Sequence, residues 1–322
     1  MSETGANSNV WARGHLTLQE AVKIGEKLLS DAGVSFGHGT LNAHDEAAWL
    51  VLWQLGLPLD TPLETQATAN SHPERNTCDT QNRFLGESEI AKLATLFQAR
   101  ITSRQPAAYL TREAWLQGIP FYVDERSIVP RSHIAQLLAD GSFDAWLGPH
   151  TQEVLDMCTG NGSLAVLAAM TYPETSVTGA DLSSDALAVA HINVTKHQLQ
   201  HRITLIESNG WQALQGKVFD LILCNPPYVN SQSMQTLPAE YLAEPNLALA
   251  GGLDGMDFIR LFFADACQHM SEHAIIVLEI GNEREHFERA FPDLAIEWLE
   301  TAAGWDQVLL ITKQALQHHL QQ

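Results

Sequence analysis

Val154-Leu-Asp-Met-Cys-Thr-Gly-Asn-Gly162 is an apolar run that ends in an acid and turns through two glycines into Ser163–Thr171, a stretch rich in helix formers. A short apolar run closed by a glycine turn predicts a buried strand that feeds directly into a helix. The pattern recurs from residue 153 to residue 312. Further strands are predicted over Val177–Asp181, Ile203–Glu207, Leu221–Cys224, Ile275–Ile280, Ala295–Leu299 and Gln307–Ile311. Helices are predicted over Ser163–Thr171, Ser184–Gln198, Met256–Met270 and Glu283–Phe291. Seven strands alternating with helices imply an α/β fold, with a mostly parallel sheet covered on both faces and ligands bound at the carboxyl ends of its strands.

The chain ahead of this pattern reads as helices. Thr17-Leu-Gln-Glu20 is a capping box that opens a helix running to about Ala32. Asn42 is placed to cap a second helix, with Asp45 and Glu46 in its first turn, and Trp49-Leu-Val-Leu-Trp53 is too apolar all round for a surface position. That helix is expected to be buried and to stop near Pro58. Thr61–Asn82 is polar and reads as loop, and Glu87–Ser103 returns to helical periodicity through Ile90, Leu93, Leu96, Phe97 and Ile101. Around Trp115-Leu-Gln-Gly-Ile-Pro-Phe-Tyr-Val-Asp124 the period changes to that of a hairpin with a glycine turn. The expected organisation is therefore a small helical domain over 1–107, assigned to substrate recognition, a β-hairpin linker over 108–132, and the α/β domain over 133–322.

Composition narrows the function classes. An apolar fraction of 45% over 322 residues supports a substantial core. Lys plus Arg number 18 against 38 Asp plus Glu, a formal charge of −20, and the basic residues occur singly. A chain of this kind repels phosphate backbones, so direct DNA binding is not expected. Met1–Val10 carries no apolar core, and no apolar run approaches the roughly 18 residues of a membrane helix, so a cytoplasmic protein without membrane contact is expected. Cys78, Cys158, Cys224 and Cys267 contain no Cys-x-x-Cys pair and read as reduced thiols, with no metal site expected.

Three segments carry candidate chemistry. Gly160 and Gly162 let backbone amides approach a ligand closely, and the following helix offers unpaired N–H groups. The spacing is not Gly-x-Gly-x-x-Gly, which leaves a plain tight turn open beside a nucleotide-like site. Asp181 ends the second strand, where an acid accepts hydrogen bonds from ribose hydroxyls; the alternative is that Asp181 and Ser183 only cap the next helix. Together they imply an adenosine-bearing cofactor, either a nicotinamide dinucleotide or S-adenosylmethionine. Phe219-Asp-Leu-Ile-Leu-Cys-Asn-Pro-Pro-Tyr228 then ends the fourth strand in Asn225 and two prolines, which have no N–H and fix their own φ. The Asn225 and Pro226 carbonyl oxygens form a rigid pair of acceptors suited to a planar NH2 group, with Tyr228 available to pack on its face. With both hydrogens bonded there, the nitrogen lone pair is turned toward an incoming methyl.

Asn225-Pro-Pro-Tyr228 resembles the signature of class I methyltransferases that act on planar amino or amide nitrogens with S-adenosylmethionine. Glu244-Pro-Asn-Leu-Ala-Leu-Ala-Gly-Gly-Leu-Asp-Gly255 is similar to the segment that follows this signature in protein glutamine N5-methyltransferases. The resemblance runs from residue 85 to residue 312. Tyr109-Leu-Thr-Arg-Glu-Ala-Trp115 and Phe121-Tyr-Val-Asp-Glu-Arg-Ser-Ile-Val-Pro-Arg-Ser132 look like the branch that methylates a glutamine of large-subunit ribosomal protein three, uL3. The release-factor branch continues its Pro-Arg with Pro-Glu-Thr-Glu or a close variant, where this chain has Ser132-His-Ile-Ala135. Cys158 in place of the first glycine of the cofactor loop is also similar to the ribosomal branch.

What the resemblance implies is an S-adenosylmethionine-dependent protein glutamine methyltransferase with uL3 as substrate and partner. Its methyltransferase domain would be residues 133–322. The cofactor-binding residues it implies are Asp156, Cys158, Thr159, Gly160, Gly162, Asp181, Asn209, Gly210 and Asn225. Those for substrate are Asn225, Pro226, Pro227 and Tyr228, with Asn225, Pro226 and Tyr228 as the catalytic set. Asn209 stands where the family commonly has Asp, so it keeps one acceptor and gains a donor. The competing readings are a release-factor methyltransferase, an adenine methyltransferase, a nicotinamide oxidoreductase and a non-catalytic adapter for ribosome assembly. Charge disfavours the second, and the absent Gly-x-Gly-x-x-Gly disfavours the third. His318-His319 reads as a solvated helix face, and Cys158 and Cys224, at the ends of strands expected to be neighbours, read as small buried side chains lying close together.

Overall fold

The computed structural model describes residues 10, 11, 16–63 and 83–322. The chain start before Val10, the loop expectation from residue 64 to residue 82, and Cys78 lie outside the described residues. The chain divides into two compact units, Met1–Thr111 with Pro238–Ala243, and Arg112–Leu237 with Glu244–Gln322.

The first unit is built of the helices Leu18–Asp31, Ala43–Gln54 and Glu87–Ser103, the short Ala107–Thr111, and the single turn Ala239–Leu242. Thr17 opens the first as its capping box requires: Thr17 Oγ1 accepts the Glu20 N–H, and the Glu20 carboxylate accepts the Thr17 N–H at 2.9 Å. Asn42 caps the second, whose consecutive Leu50, Val51 and Leu52 are all buried, so its second half is covered on more than one face, as its apolar run requires. Gly25 lets the helices close up, since a Cβ there would stand 2.3 Å from Cζ of the buried Phe97. In the middle of this apolar packing lies Arg100, fully buried. Its Nε donates to Glu46 at 2.7 Å, its Nη1 to Glu240 at 3.3 Å and its Nη2 to the Ser35 carbonyl at 2.9 Å. Arg104 adds a second cation on Glu240 at 3.1 Å. Burial pushes the Glu46 carboxyl up, against the pull of Arg100.

The second unit begins with a two-stranded hairpin, β1 (Ala114–Leu116) and β2 (Ile119–Phe121). Gln117 and Gly118 both have positive φ, 49° and 73°, the type I′ geometry whose twist matches the flanking strands. The main sheet follows as β3 (Glu153–Met157), β4 (Ser176–Asp181), β5 (Ile203–Glu207), β6 (Phe219–Cys224), β7 (Met270–Glu279), β8 (Glu297–Thr301) and β9 (Gly304–Thr312). Its order is β5-β4-β3-β6-β7-β9-β8, parallel from β5 through β7 and antiparallel for the last two pairs. This is the seven-stranded, mostly parallel sheet expected. Alternate side chains serve opposite faces: Val154, Leu221, Leu223 and Val277 join one core, and Leu155, Ile222, Cys224 and Leu278 the other.

Several boundaries differ from the periodicity, two of them with a clear cause. The helix expected to reach Met270 is Asp257–Ala266, because Cys267–His269 tightens and the His269 ring stacks on Trp211 at 4.4 Å. Met270 is thereby free to pair with Phe219, and β7 starts early. The expected strand Ala295–Leu299 lies two residues later, fixed by the Thr301–Gly304 pair that closes the β8–β9 hairpin. His318 and His319 sit on the helix Lys313–Leu320, where His319 meets Phe291 edge-on at 6.0 Å. No described helix is long and apolar enough to cross a membrane.

Candidate functional site

In this sheet the chain runs outward from β3 to β5, then crosses back to β6 on the other side of β3. The carboxyl ends of β3 and β6 therefore flank the switch point of the topology, where open α/β sheets bind ligands. A pocket opens there, with about 820 Å³ of free space that includes its solvent-filled mouth. Of the residues singled out in the sequence, Cys158, Gly160, Asp181, Asn209, Gly210, Asn225 and Pro227 line it, all in the second unit. Asp156, Thr159, Gly162, Pro226 and Tyr228 are not among its lining residues.

The turn after β3 explains that division. Asp156 is fully buried beneath the turn, its Oδ2 accepting Thr159 Oγ1 at 2.5 Å and the Ala165 N–H at 2.9 Å. Asp156 and Thr159 thus shape the loop from behind. Gly162 has φ of 80° and opens the helix Ser163–Thr171; a Cβ there would come within 3.1 Å of Ala190 Cβ, so its glycine serves helix packing. Gly160, at φ of 55°, donates its N–H to Asp181 Oδ2 at 2.8 Å, and Ser183 donates to Oδ1 at 2.8 Å. Each Asp181 oxygen keeps a further lone pair, and burial pushes this carboxyl up. Asp181 lines the pocket, while Ser183 caps the helix Ser184–Lys196. Cys158 stands at φ of 62°, in the left-handed region that favours glycine, and its thiol is held protonated by a hydrogen bond with Cys224 and by burial.

Loss of solvation pushes the Asp156 carboxyl up to about 7, although its two hydrogen bonds act the other way. The unfolded chain releases this proton near 3.8, so between the two values folding takes up a proton. Stability from this group is accordingly greatest at acid pH, falls as the pH rises through that window, and levels off above it. Asp156→Asn, which does not ionise, is expected to gain on the wild type between about pH 5 and about pH 8, by ~3 kcal/mol at most. Denaturant unfolding at the two pH values checks this, and a pH-independent difference contradicts it.

The loop after β6 is held from two sides. Val229 donates to the Leu249 carbonyl at 2.8 Å and Gly251 donates back to Val229 at 2.9 Å, so the segment after Glu244 runs beside the Asn-Pro-Pro-Tyr loop. Gly251 and Gly255 permit this approach: a Cβ at Gly251 would meet the Pro227 carbonyl at 2.8 Å, and one at Gly255 the Tyr228 carbonyl at 2.2 Å. Glu244, buried, accepts both Arg131 Nη atoms at 2.7 Å and the Val129 N–H at 2.9 Å. On the other side Asn230 Nδ2 donates to Glu283 at 2.7 Å, and the Tyr228 hydroxyl to Glu279 at 3.3 Å. Asn225 itself makes no side-chain hydrogen bond among the described residues and presents its amide in the pocket lining.

Sequence reading missed much of the pocket wall. Arg126, Ser127 and Ile128 arrive from the segment after the hairpin, and Leu182, Ala186, Leu247, Ala248 and Phe258 supply apolar surface. Arg126 spends two nitrogens on Asp124, at 2.9 and 2.6 Å; burial works against the Asp124 charge, but these bonds bring its carboxyl down to about 2. The glycines at 251 and 255 were the legible signal for Leu247 and Ala248, since they mark a chain segment that lies against the Asn-Pro-Pro-Tyr loop.

The methyltransferase small domain model matches residues 136–251, the stretch that contributes β3 through β6 and the loop after it. A ribosomal protein uL3 glutamine methyltransferase of Bordetella pertussis is 48% identical over 302 residues, covering 93% of this chain and 96% of that protein. The Burkholderia pseudomallei protein of the same description is 44% identical over 308 residues, with 92% and 94% covered. That of Neisseria meningitidis serogroup A is 41% identical over 302 residues, with 93% and 94% covered. Likeness of this extent covers both units, the hairpin and the Asn-Pro-Pro-Tyr loop together, and the chain belongs to the family of ribosomal protein uL3 glutamine methyltransferases.

Proposed function

We propose that this chain transfers a methyl group from S-adenosylmethionine to the side-chain amide nitrogen of a glutamine in ribosomal protein uL3, acting in the cytoplasm. The observation that carries this reading is the Asn225 amide, open to hydrogen bonding at the end of β6 in the same pocket as Asp181. The names of the relatives support uL3 as the substrate.

The residues present fit the cofactor. A Cβ at Gly160 or Gly210 would meet no protein atom within 4 Å, so backbone rather than side chain borders that space. Asp181 offers two acceptor oxygens for a ribose diol, and Leu182, Ala186 and Phe258 offer apolar surface for a flat base. When bound, the cofactor supplies an electrophilic methyl on a sulfonium. Cys158, Gly160, Asp181, Asn209 and Gly210 hold it, while Asp156 and Thr159 keep the turn in shape.

Asn225 Oδ1 and the Pro226 carbonyl accept the two amide hydrogens of the glutamine. As the nitrogen pair forms the new N–C bond, the pair of the broken S–C bond stays on sulfur, and one of the two amide protons departs to solvent. An amide nitrogen is a poor nucleophile because its lone pair is shared with the carbonyl; holding both hydrogens favours the orientation in which that pair points out of plane. Pro226 and Pro227 keep the acceptors from turning away. The helical unit is assigned to recognition of the protein substrate. None of its described residues is among those that line the pocket.

Asp181→Ala is expected to weaken cofactor binding about tenfold or more, the loss of hydrogen bonds to a charged acceptor. Calorimetry with S-adenosylmethionine checks this, and unchanged affinity contradicts the ribose assignment. The function is tested in cells: uL3 from cells lacking the gene should lose one methyl from one glutamine, located by mass spectrometry, and an unaltered uL3 overturns the reading.

A further inference from the structure

We propose that Glu279 is a positioning residue for methyl transfer that acts through the Tyr228 hydroxyl, and that Ser132 sets the orientation of Glu279. The inference rests on the function proposed above and names residues that the Asn-Pro-Pro-Tyr signature does not contain.

Glu279 is the last residue of β7, the strand beside β6, so its side chain emerges next to the catalytic loop. It is 2% exposed. Its Oε2 accepts Ser132 Oγ at 2.6 Å and the His133 N–H at 2.9 Å, and its Oε1 accepts the Tyr228 hydroxyl at 3.3 Å. A carboxylate so buried keeps one orientation only while such bonds hold it. Ser132 and His133 make the short contacts, so they fix the carboxylate and the phenol adjusts to it. The ring of Tyr228 is limited from a second direction: a Cβ at Gly281, two residues past Glu279, would stand 2.4 Å from Tyr228 Cε2. Ring and hydroxyl are therefore both fixed by the end of β7. Only two prolines separate Tyr228 from Asn225, and their φ angles are fixed, so displacement at Tyr228 reaches the Asn225 and Pro226 acceptors with little loss. Transition-state positioning is sensitive to shifts below an ångström, whereas the Asp181 side of the pocket is held by other bonds. Loss of the anchor should thus lower kcat and leave cofactor affinity alone.

The test is a double-mutant cycle with volume-conserving changes. Tyr228→Phe and Glu279→Gln are each expected to lower kcat about tenfold, with the Kd for S-adenosylmethionine within about twofold of wild type. The double variant should be no slower than the worse single variant. Ser132→Ala should cost about threefold, and Ser132→Thr, which keeps the hydroxyl, should restore the rate. Multiplied losses in the double variant, about a hundredfold, would overturn the proposal, as would losses that fall on cofactor affinity instead. A readout free of activity accompanies the cycle: exchange of the Val229 amide, bonded to Leu249, should quicken equally in both single variants and no further in the double. A wild type inactive on uL3 whose exchange rates stay coupled refutes the proposed function; an active wild type with uncoupled variants refutes the anchor.

Discussion

Asn225→Ala is expected to lower the rate of methyl transfer by about a hundredfold or more while leaving S-adenosylmethionine binding nearly unchanged. The magnitude is that of removing one preorganised polar contact from a site where it acts on the reacting group. The Asn225 side chain supports no other part of the fold: it makes no hydrogen bond among the described residues, and the loop around it is held by Val229, Gly251, Asn230 and Tyr228. Truncation should therefore leave the melting temperature close to wild type. Cofactor affinity should persist because Asp181 and the turn after β3 hold that side of the pocket independently. Single-turnover transfer from labelled cofactor, beside calorimetry of cofactor binding, separates the two quantities. Wild-type turnover in this variant would remove Asn225 from the chemistry.

Arg100→Ala is expected to destabilise the helical unit by about 3–5 kcal/mol, the cost of breaking a buried ion pair from one side. Arg100 lies between two buried acids, and three of its nitrogens are used. Without it Glu240 retains Arg104 at 3.1 Å, while Glu46 keeps the Thr40 hydroxyl at 3.2 Å and the weaker electrostatic influence of His38. Burial already pushes the Glu46 carboxyl up, and loss of the nearest cation pushes it further. The deficit should consequently be largest at neutral and alkaline pH and shrink as the pH falls and Glu46 takes up a proton. Arg100→Lys should recover only part of the loss, since an ammonium does not reach three acceptors in one plane. Denaturant unfolding followed by tryptophan fluorescence checks this, because Trp49 and Trp53 share the helix that carries Glu46. A loss below about 1 kcal/mol would show that the pair is dispensable.

The contrast between these two residues shows where sequence is legible. The position of Asn225 was readable because the seven-strand period placed it at a carboxyl end, and it does line the pocket there. The helix Glu87–Ser103 was also readable in its bounds, yet the meaning of Arg100 was not. Leu93, Leu96, Phe97 and Arg100 form one stripe at helical spacing, and a charge in the fourth position was the available sign of a buried partner. The partner itself could not be named, because Glu240 lies 140 residues away. The turn after β3 taught a subtler lesson. Asp156, Thr159 and Gly162 belong to the same short run as Gly160, but period and glycine content do not say which of them faces a ligand and which faces the sheet. The short helix Ser231–Met234 and the wall from Pro245 to Ala248 carry no periodicity of their own, and their places follow from the glycines that let the chain close over Tyr228.

The most direct measurement is methyl transfer from labelled S-adenosylmethionine to purified, unmodified uL3, with release factors in parallel and mass spectrometry to locate the label. The expected result is one methyl on a glutamine side-chain amide of uL3, none on the release factors, and none on uL3 with Asn225→Ala. Label on the release factors alone would keep the chemistry and overturn the substrate, and tight cofactor binding with no label on either would contradict the assignment of catalysis.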